Sequence, residues 1–101
     1  MTKTRLVAIT FLSTISLADP TRAQVTIDVA KITCEQYVLY KVTNPKNIAM
    51  WISGYYNGKI NNTVLDTGVL EANADKVMTY CLRNLKTPVM QAAATALDLK
   101  E

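Results

Sequence analysis

The two cysteines, Cys34 and Cys81, are the residues of this sequence whose chemistry is most easily assigned. Two thiols can form a disulfide, act as a redox pair or contribute to a metal site. Their spacing is far from the Cys-x-x-Cys pattern of thioredoxin-like redox sites, and no histidine is present to complete a zinc site. We therefore predict a structural disulfide between Cys34 and Cys81, with no metal and no cofactor.

The first 23 residues have the pattern of a secretory signal peptide. Lys3 and Arg5 precede an uncharged, mainly apolar run over 6–17, and a small-x-small tripeptide ends at Ala23. The run is shorter than the roughly 20 apolar residues of a membrane-spanning helix. We predict cleavage after Ala23 and no membrane anchor. Cleavage after Ala18 and a retained N-terminal helix are the alternatives.

Export affects how the charge and the disulfide are interpreted. Residues 24–101 hold 8 cations and 7 anions, so the predicted mature domain has a net charge of +1 instead of the +3 of the whole sequence. Without a clustered basic face, we expect no nucleic-acid binding.

Domains below about 80 residues bury little surface and often need a covalent link, which an oxidising compartment permits. A bond between Cys34 and Cys81 would close a loop with 46 intervening residues, which stabilises the fold by about 4 kcal/mol in the chain-entropy model.

A short extended segment and a first helix are predicted around Cys34. Apolar and polar residues alternate over 25–29, which is the period of a half-buried extended segment. Thr33 followed by Gln36 has the spacing of a capping box, so the first helix should begin there. This helix would place four residues on one face: Cys34, Tyr37, Val38 and Lys41.

Three further helices are predicted from their end signals. Asn44 should cap the second helix, with Pro45 in its first position and Gly58 at its end. Residues 57–63 are polar and predict a loop. The third helix should lie between Val69 and Asn84.

The third helix carries Cys81 near its end, with Glu71 and Asp75 near its start, where acids suit the helix dipole. Thr87 and Pro88 repeat the cap-then-proline signal and should open a fourth helix. Together these signals predict an all-α fold: a small single-domain bundle of about four helices, with a short extended N-terminal segment and one disulfide.

The second helix is unusual because it has almost no charge after Lys46. Ile48, Trp51, Ile52 and Tyr55 would form one face, which is sufficient for a core contact. Met50 and Tyr56, with small residues, occupy much of the remainder, where a surface helix normally has polar residues. The simplest interpretation is a central core helix. The alternative is a second face that contacts another protein, because Trp, Tyr and Met are favoured at interfaces.

Catalysis is not expected from this composition. The predicted mature domain has no histidine, a single serine (Ser53) and no glycine-rich phosphate loop. Nucleophilic catalysis normally needs a nucleophile with a base beside it. We therefore predict that the protein is not an enzyme.

The order and spacing of these features resemble the HdeA/HdeB family of small periplasmic acid-stress chaperones. The similarity covers most of residues 24–101 and rests on the signal peptide, the domain length and the aliphatic and aromatic second helix. It also rests on five local features: Thr33-Cys34-Glu35, the Cys34–Cys81 spacing, Val64-Leu65-Asp66, residues 54–59, and residues 77–81. The resemblance implies an ATP-independent chaperone that is a folded homodimer at neutral pH. In strong acid it would dissociate, expose apolar surface and bind unfolding periplasmic client proteins. It also implies that the second helix is the dimer and client surface, formed by Ile48, Met50, Trp51, Ile52, Tyr55 and Tyr56.

An acid switch in this sequence would depend on carboxylates. Without histidine, no side chain other than Asp and Glu titrates between strong acid and neutrality, so the switch would act around or below about pH 4. The candidate pH-sensing carboxylates are Asp28, Glu35, Asp66, Glu71 and Asp75. A different class also stays open, namely a periplasmic interaction module, or one that binds a small apolar ligand between helices, with the same fold.

Overall fold

A computed structural model describes residues 25–100, so the predicted signal peptide lies outside the described residues. Within this range the chain forms helices and no β-strand. The elements are a 3₁₀ turn (Val29–Lys31), α1 (Cys34–Val38), α2 (Pro45–Lys59), α3 (Thr67–Arg83) and α4 (Val89–Leu97). None of the described helices combines the length and apolar character needed to cross a membrane. The predicted all-α fold of about four helices with one disulfide is confirmed.

The segment before α1 is extended as far as Asp28, which then caps the 3₁₀ turn by accepting a hydrogen bond from Ala30 N. Val29 is buried and Ile27 packs against the core, but Val25 is exposed. The predicted alternation therefore holds only for the part nearest to α1.

Helix α1 begins with the predicted capping box. Thr33 Oγ1 accepts from Gln36 N at 3.3 Å, and Gln36 Oε1 accepts from Thr33 N at 3.0 Å. The helix is only five residues long, because Tyr40 adopts a left-handed conformation with φ of 56°. Lys41 consequently lies beyond the helix, and its predicted place on the Cys34 face is wrong.

Helix α2 starts as predicted and ends slightly later. Asn44 Oδ1 accepts from Lys46 N at 3.0 Å, and Pro45 occupies the first helical position. The predicted end at Gly58 is wrong, because the helix continues to Lys59 and the loop begins after it. The left-handed residue that follows the helix is Asn61, with φ of 55°, while no described glycine has a positive φ.

Helix α3 begins at Thr67, two residues before the predicted range, because Asp66 caps it. Asp66 Oδ1 accepts from Val69 N at 3.0 Å. Glu71 therefore lies in the second turn and Asp75 in the third, so their predicted position at the helix start is wrong. The dipole effect on a carboxylate is confined to the first turn.

Helix α4 begins at Val89, so the predicted cap at Thr87 with Pro88 as first helical residue is wrong by one position. The residues before α4 instead pair with the residues before α1. Thr87 O accepts from Cys34 N at 2.8 Å, and Ile32 O accepts from Val89 N at 2.8 Å. This pairing, with a bridge between Thr33 and Pro88, fixes the start of α4 against the start of α1.

The core lies where α1, α3 and α4 meet. Its fully buried members come from these helices: Cys34, Cys81, Val89, Ala92 and Ala93. Helix α2 adds only Ile48 and Ile52 to the buried apolar cluster. Residues 60–69, which link α2 to α3 and start α3, are all exposed.

Candidate interaction surface on the second helix

The disulfide is the structural support of the candidate surface. Cys34 and Cys81 are bonded, as predicted, with Cα atoms 4.8 Å apart, a normal separation for a disulfide. The bond joins the first residue of α1 to the last turn of α3. Helix α2 lies inside the covalent loop that this bond closes. The disulfide thus links α1 directly to α3, whereas α2 is held to them by its packing contacts and by the chain on either side of it.

Helix α2 buries a narrower stripe than the sequence predicts. Ile48 and Ile52 are each 4% exposed. Trp51 and Tyr55, which we expected on the core face, are 46% and 39% exposed. Tyr56, expected outside the core, is half-buried and packs against it. Helix α2 contacts its neighbours along a line of residues spaced four apart, namely Ile48, Ile52 and Tyr56. Trp51 and Tyr55 follow Ile48 and Ile52 by three positions, so they lie beside this line and not on it.

The exposed side of α2 carries an ordered aromatic row. The Trp51 and Tyr55 rings are stacked, with centroids 5.2 Å apart and planes 13° from parallel. Tyr56 meets Tyr55 edge-on, also at 5.2 Å. The Lys59 ammonium lies 4.5 Å from the Tyr55 ring centroid, a cation–π distance. Met50 is also exposed on this helix.

The six residues predicted as a dimer and client surface therefore fall into two layers. Met50, Trp51 and Tyr55 are accessible in the folded chain, and Tyr56 is partly accessible. Ile48 and Ile52 are almost fully covered in the folded chain and would become fully exposed if α2 separated from its neighbours. An exposed group of Trp, Tyr and Met has the composition of a protein interface.

The five candidate carboxylates lie at separate places. Asp28 caps the 3₁₀ turn and is 3.9 Å from Lys31 Nζ, and Glu35 Oε1 is 3.2 Å from Lys41 Nζ. Both ion pairs are solvent-exposed, so each contributes at most about 1 kcal/mol. Asp66 caps α3, while Glu71 and Asp75 are exposed on that helix. Among the described residues, no group of Asp, Glu or Cys is placed to hold a metal ion.

Tyr37 is a titratable residue of α1 whose pKa is clearly shifted by its surroundings. Burial raises the pKa of its phenol above the ordinary value of 10.0, and the nearby Asp75 and Tyr40 raise it further. Asp75 thus acts electrostatically on a buried residue of α1. The neutral phenol is the form present throughout the acid and neutral range.

A mainly apolar groove between α2 and α3 was not foreseen from the sequence. Its volume is about 490 Å³, and its floor includes Tyr37, Ile52 and Val77. Ile60 and Val64 form part of its rim and are 72% and 75% exposed. The signal that could have revealed it is the presence of three aliphatic residues within 60–65, namely Ile60, which lies in the stretch that we predicted as a polar loop, and Val64 and Leu65, which follow it.

Comparison with known proteins gives one match. A family model described as the HdeA/HdeB family matches residues 1–91. No curated protein and no solved structure matches the chain. The family is known for periplasmic acid-stress chaperones, which are not enzymes. Because the match covers most of the sequence, the chain belongs to the HdeA/HdeB family.

Proposed function

We propose that this protein is an ATP-independent periplasmic chaperone that is a homodimer at neutral pH and exposes apolar surface in strong acid. In this proposal the signal peptide is removed after Ala23 and the mature domain works in the periplasm. The observation that carries the proposal is the two-layered α2 surface, with its accessible aromatic row and covered isoleucines, beside a disulfide that joins α1 to α3.

At neutral pH the aromatic row is the proposed dimer contact. Exposed Met50, Trp51 and Tyr55 would gain from burial against a second copy, because covering apolar surface is favourable by about 25 cal/mol per Å². Met50→Glu should yield monomers in analytical ultracentrifugation at tens of micromolar. Leu82→Glu is the matched control, since Leu82 is an equally apolar, exposed residue of α3, and it should stay dimeric.

Two results would contradict the proposed dimer. One is a wild-type protein that is monomeric at this concentration, and the other is a monomer for both Met50→Glu and Leu82→Glu. Tyr56→Glu is a poorer test, because Tyr56 also packs against the core and its replacement would disturb the fold.

In acid, the loss of carboxylate charge is the proposed trigger. An ionised carboxylate that caps a helix or lies in its first turn stabilises the helix, and strong acid removes that charge. Asp66 at the start of α3 and Glu35 in the first turn of α1 are the best placed, because an ionised acid there contributes about 0.3 to 1 kcal/mol.

Charge repulsion adds to this loss. With its 7 anions neutral, the mature domain keeps 8 side-chain cations and its amino terminus, about +9 in total. Repulsion among like charges opposes both association and compaction. Separation of the two copies would uncover Met50, Trp51 and Tyr55, and movement of α2 would then uncover Ile48 and Ile52 for client binding.

The direct test is suppression of acid-induced aggregation. The mature protein is mixed with an aggregation-prone client at pH 2 to 3, and light scattering is followed with and without it, alongside binding of a dye that reports apolar surface. We expect new dye binding below about pH 4, the carboxylate range, and reduced scattering over the same interval. If dye binding appears but the client still aggregates, the chaperone assignment is wrong and the binding-module alternative replaces it.

A further inference from the structure

The groove between α2 and α3 has the properties of a preformed ligand site at neutral pH. Its volume of about 490 Å³ falls within the range of about 300–1,000 Å³ that is usual for small-molecule pockets. The floor is apolar and deep, because Tyr37, Ile52 and Val77 are each at most 4% exposed. Such a floor suits a hydrocarbon chain.

One wall of the groove is formed by the end of α2 and the loop that follows it, and hydrogen bonds of two asparagine side chains, Asn57 and Asn62, hold this wall. Asn57 Nδ2 donates to Ser53 O at 2.8 Å, and Asn62 Nδ2 donates to Asn57 Oδ1 at 3.0 Å. Val64 N then donates to Asn62 Oδ1 at 3.1 Å. These bonds occupy the polar groups on this side and fix the exposed aliphatic rim. The wall therefore needs no ordering when a ligand binds, which lowers the cost of binding.

The opposite end of the groove is formed by the tail that follows α4. Asp98 adopts a left-handed conformation, and Leu99 N donates to Ala94 O at 2.9 Å, which folds the tail back towards the groove. Three side chains that line the groove make no hydrogen bond or ion pair within residues 25–100: Asn73, Asp98 and Lys100. One free carboxylate, one free ammonium and one free amide are thus available to a polar head group.

We propose that this groove binds a single-chain zwitterionic amphiphile as a monomer. The hydrocarbon chain would lie along the apolar floor. The cationic part of the head would face Asp98, and its anionic part would face Lys100, with the Asn73 amide able to donate to the anion. Charge complementarity favours this head, because a zwitterion can pair with both exposed side chains, whereas a purely anionic or purely cationic head can pair with only one of them. The inference concerns the folded chain at neutral pH and does not depend on the acid-chaperone proposal.

The test uses the folded mature protein and dodecylphosphocholine below its micelle concentration, followed by calorimetry and by NMR shifts of the groove amides. Saturable one-to-one binding is expected. Ala74→Phe places a ring in the groove and should weaken binding at least tenfold, whereas Ala72→Phe, on the exposed side of the same helix, should leave it unchanged. Ala49→Phe fills the groove from α2 and gives a second result if Ala74→Phe fails to fold.

Head-group selectivity is tested with dodecyl sulfate, dodecyltrimethylammonium and free phosphocholine. The wild type should bind both singly charged amphiphiles and the chain-free head more weakly than dodecylphosphocholine. The double variant Asp98→Asn, Lys100→Gln should lose this preference. Absence of saturable binding, equal affinity for all heads, retained affinity in both groove-filling variants, or binding only to phosphatidylcholine vesicles would each overturn the proposal.

Discussion

Two regions of the molecule differ in how they are held. The disulfide region, residues 32–38 and 77–93, contains nine of the twelve buried apolar residues in the described chain, together with the only covalent link there. The second-helix region, residues 45–70, contributes Ile48 and Ile52 to that core and holds the aromatic row and the exposed 60–69 segment. Stability and accessible apolar surface are therefore segregated along the chain.

This segregation implies an order of opening. Burying one isoleucine side chain stabilises by about 1.5 to 3 kcal/mol, so α2 is attached by only a few kcal/mol of burial. Regions with little buried apolar surface open at lower free energy than the rest of a fold. We therefore expect α2 to separate at a lower free energy than α1, α3 and α4, which meet around the disulfide.

Removing the disulfide should have the largest effect on stability. Cys34→Ser or Cys81→Ser should lower the free energy of unfolding by about 2 to 5 kcal/mol, because the long covalent loop no longer restricts the unfolded chain. Chemical denaturation measures this loss, and wild type under reducing conditions is the control. Two freely labelled thiols in the native exported protein would contradict the assignment.

Truncating the core contact of α2 should have the next largest effect. Ile52→Ala should cost about 2 kcal/mol, the lower end for an isoleucine truncation, since the site borders an open groove and can relax. Met50→Ala lies on the exposed side of the same helix. Measured at a concentration low enough for the protein to be monomeric, it should change the unfolding free energy by less than about 0.5 kcal/mol. Equal losses for the two variants would mean that α2 is oriented differently.

Removing the cap of α3 should have a smaller effect. Asp66→Ala should cost about 1 kcal/mol at neutral pH, because Val69 N loses its acceptor. Asp66→Asn keeps an oxygen acceptor at the same place and removes only the charge, so it should lose about 0.3 to 1 kcal/mol, the part that the proposed acid trigger assigns to the charge. A loss with Asn as large as that with Ala would show that charge, and not the hydrogen bond, is what Asp66 supplies.

The smallest effect should appear in alkali. The folded state raises the pKa of Tyr37, mainly through burial, so folding favours the neutral phenol. The resulting stability is fully present below the unfolded pKa of about 10 and is lost as the pH rises through the folded value. Tyr37→Phe should therefore flatten the decline in unfolding free energy above pH 10. If Tyr37→Phe leaves the decline unchanged, the decline arises from other groups that titrate in alkali.

Local end signals and the two cysteines were enough to predict the helical bundle. The capping box at Thr33, the Asn44-Pro45 start of α2 and the disulfide are all present in the structure. These features depend on a few neighbouring residues or on simple elimination, so the sequence carries them directly. The start of α3 was misplaced because Asp66 was not recognised as its cap, although aspartate is a common N-cap.

Which side of α2 faces the core could not be predicted in the same way. An all-round apolar helix offers several possible stripes, and the choice between Trp51 and Tyr56 depends on where α1 and α3 lie. The groove was missed for a related reason, because it forms only when the 60–66 loop and the tail after α4 meet the same face of α2 and α3. Such tertiary contacts leave no local pattern.

Hydrogen exchange of the mature protein across a pH series can show whether α2 opens before the disulfide region, because it resolves both regions in one molecule. With intrinsic rates corrected for pH, peptides from residues 45–66 should lose protection below about pH 4, the carboxylate range, while peptides from residues 77–93 keep theirs. The disulfide should remain intact throughout. Simultaneous loss of protection in both regions, or α2 as the last element to open, would contradict the account.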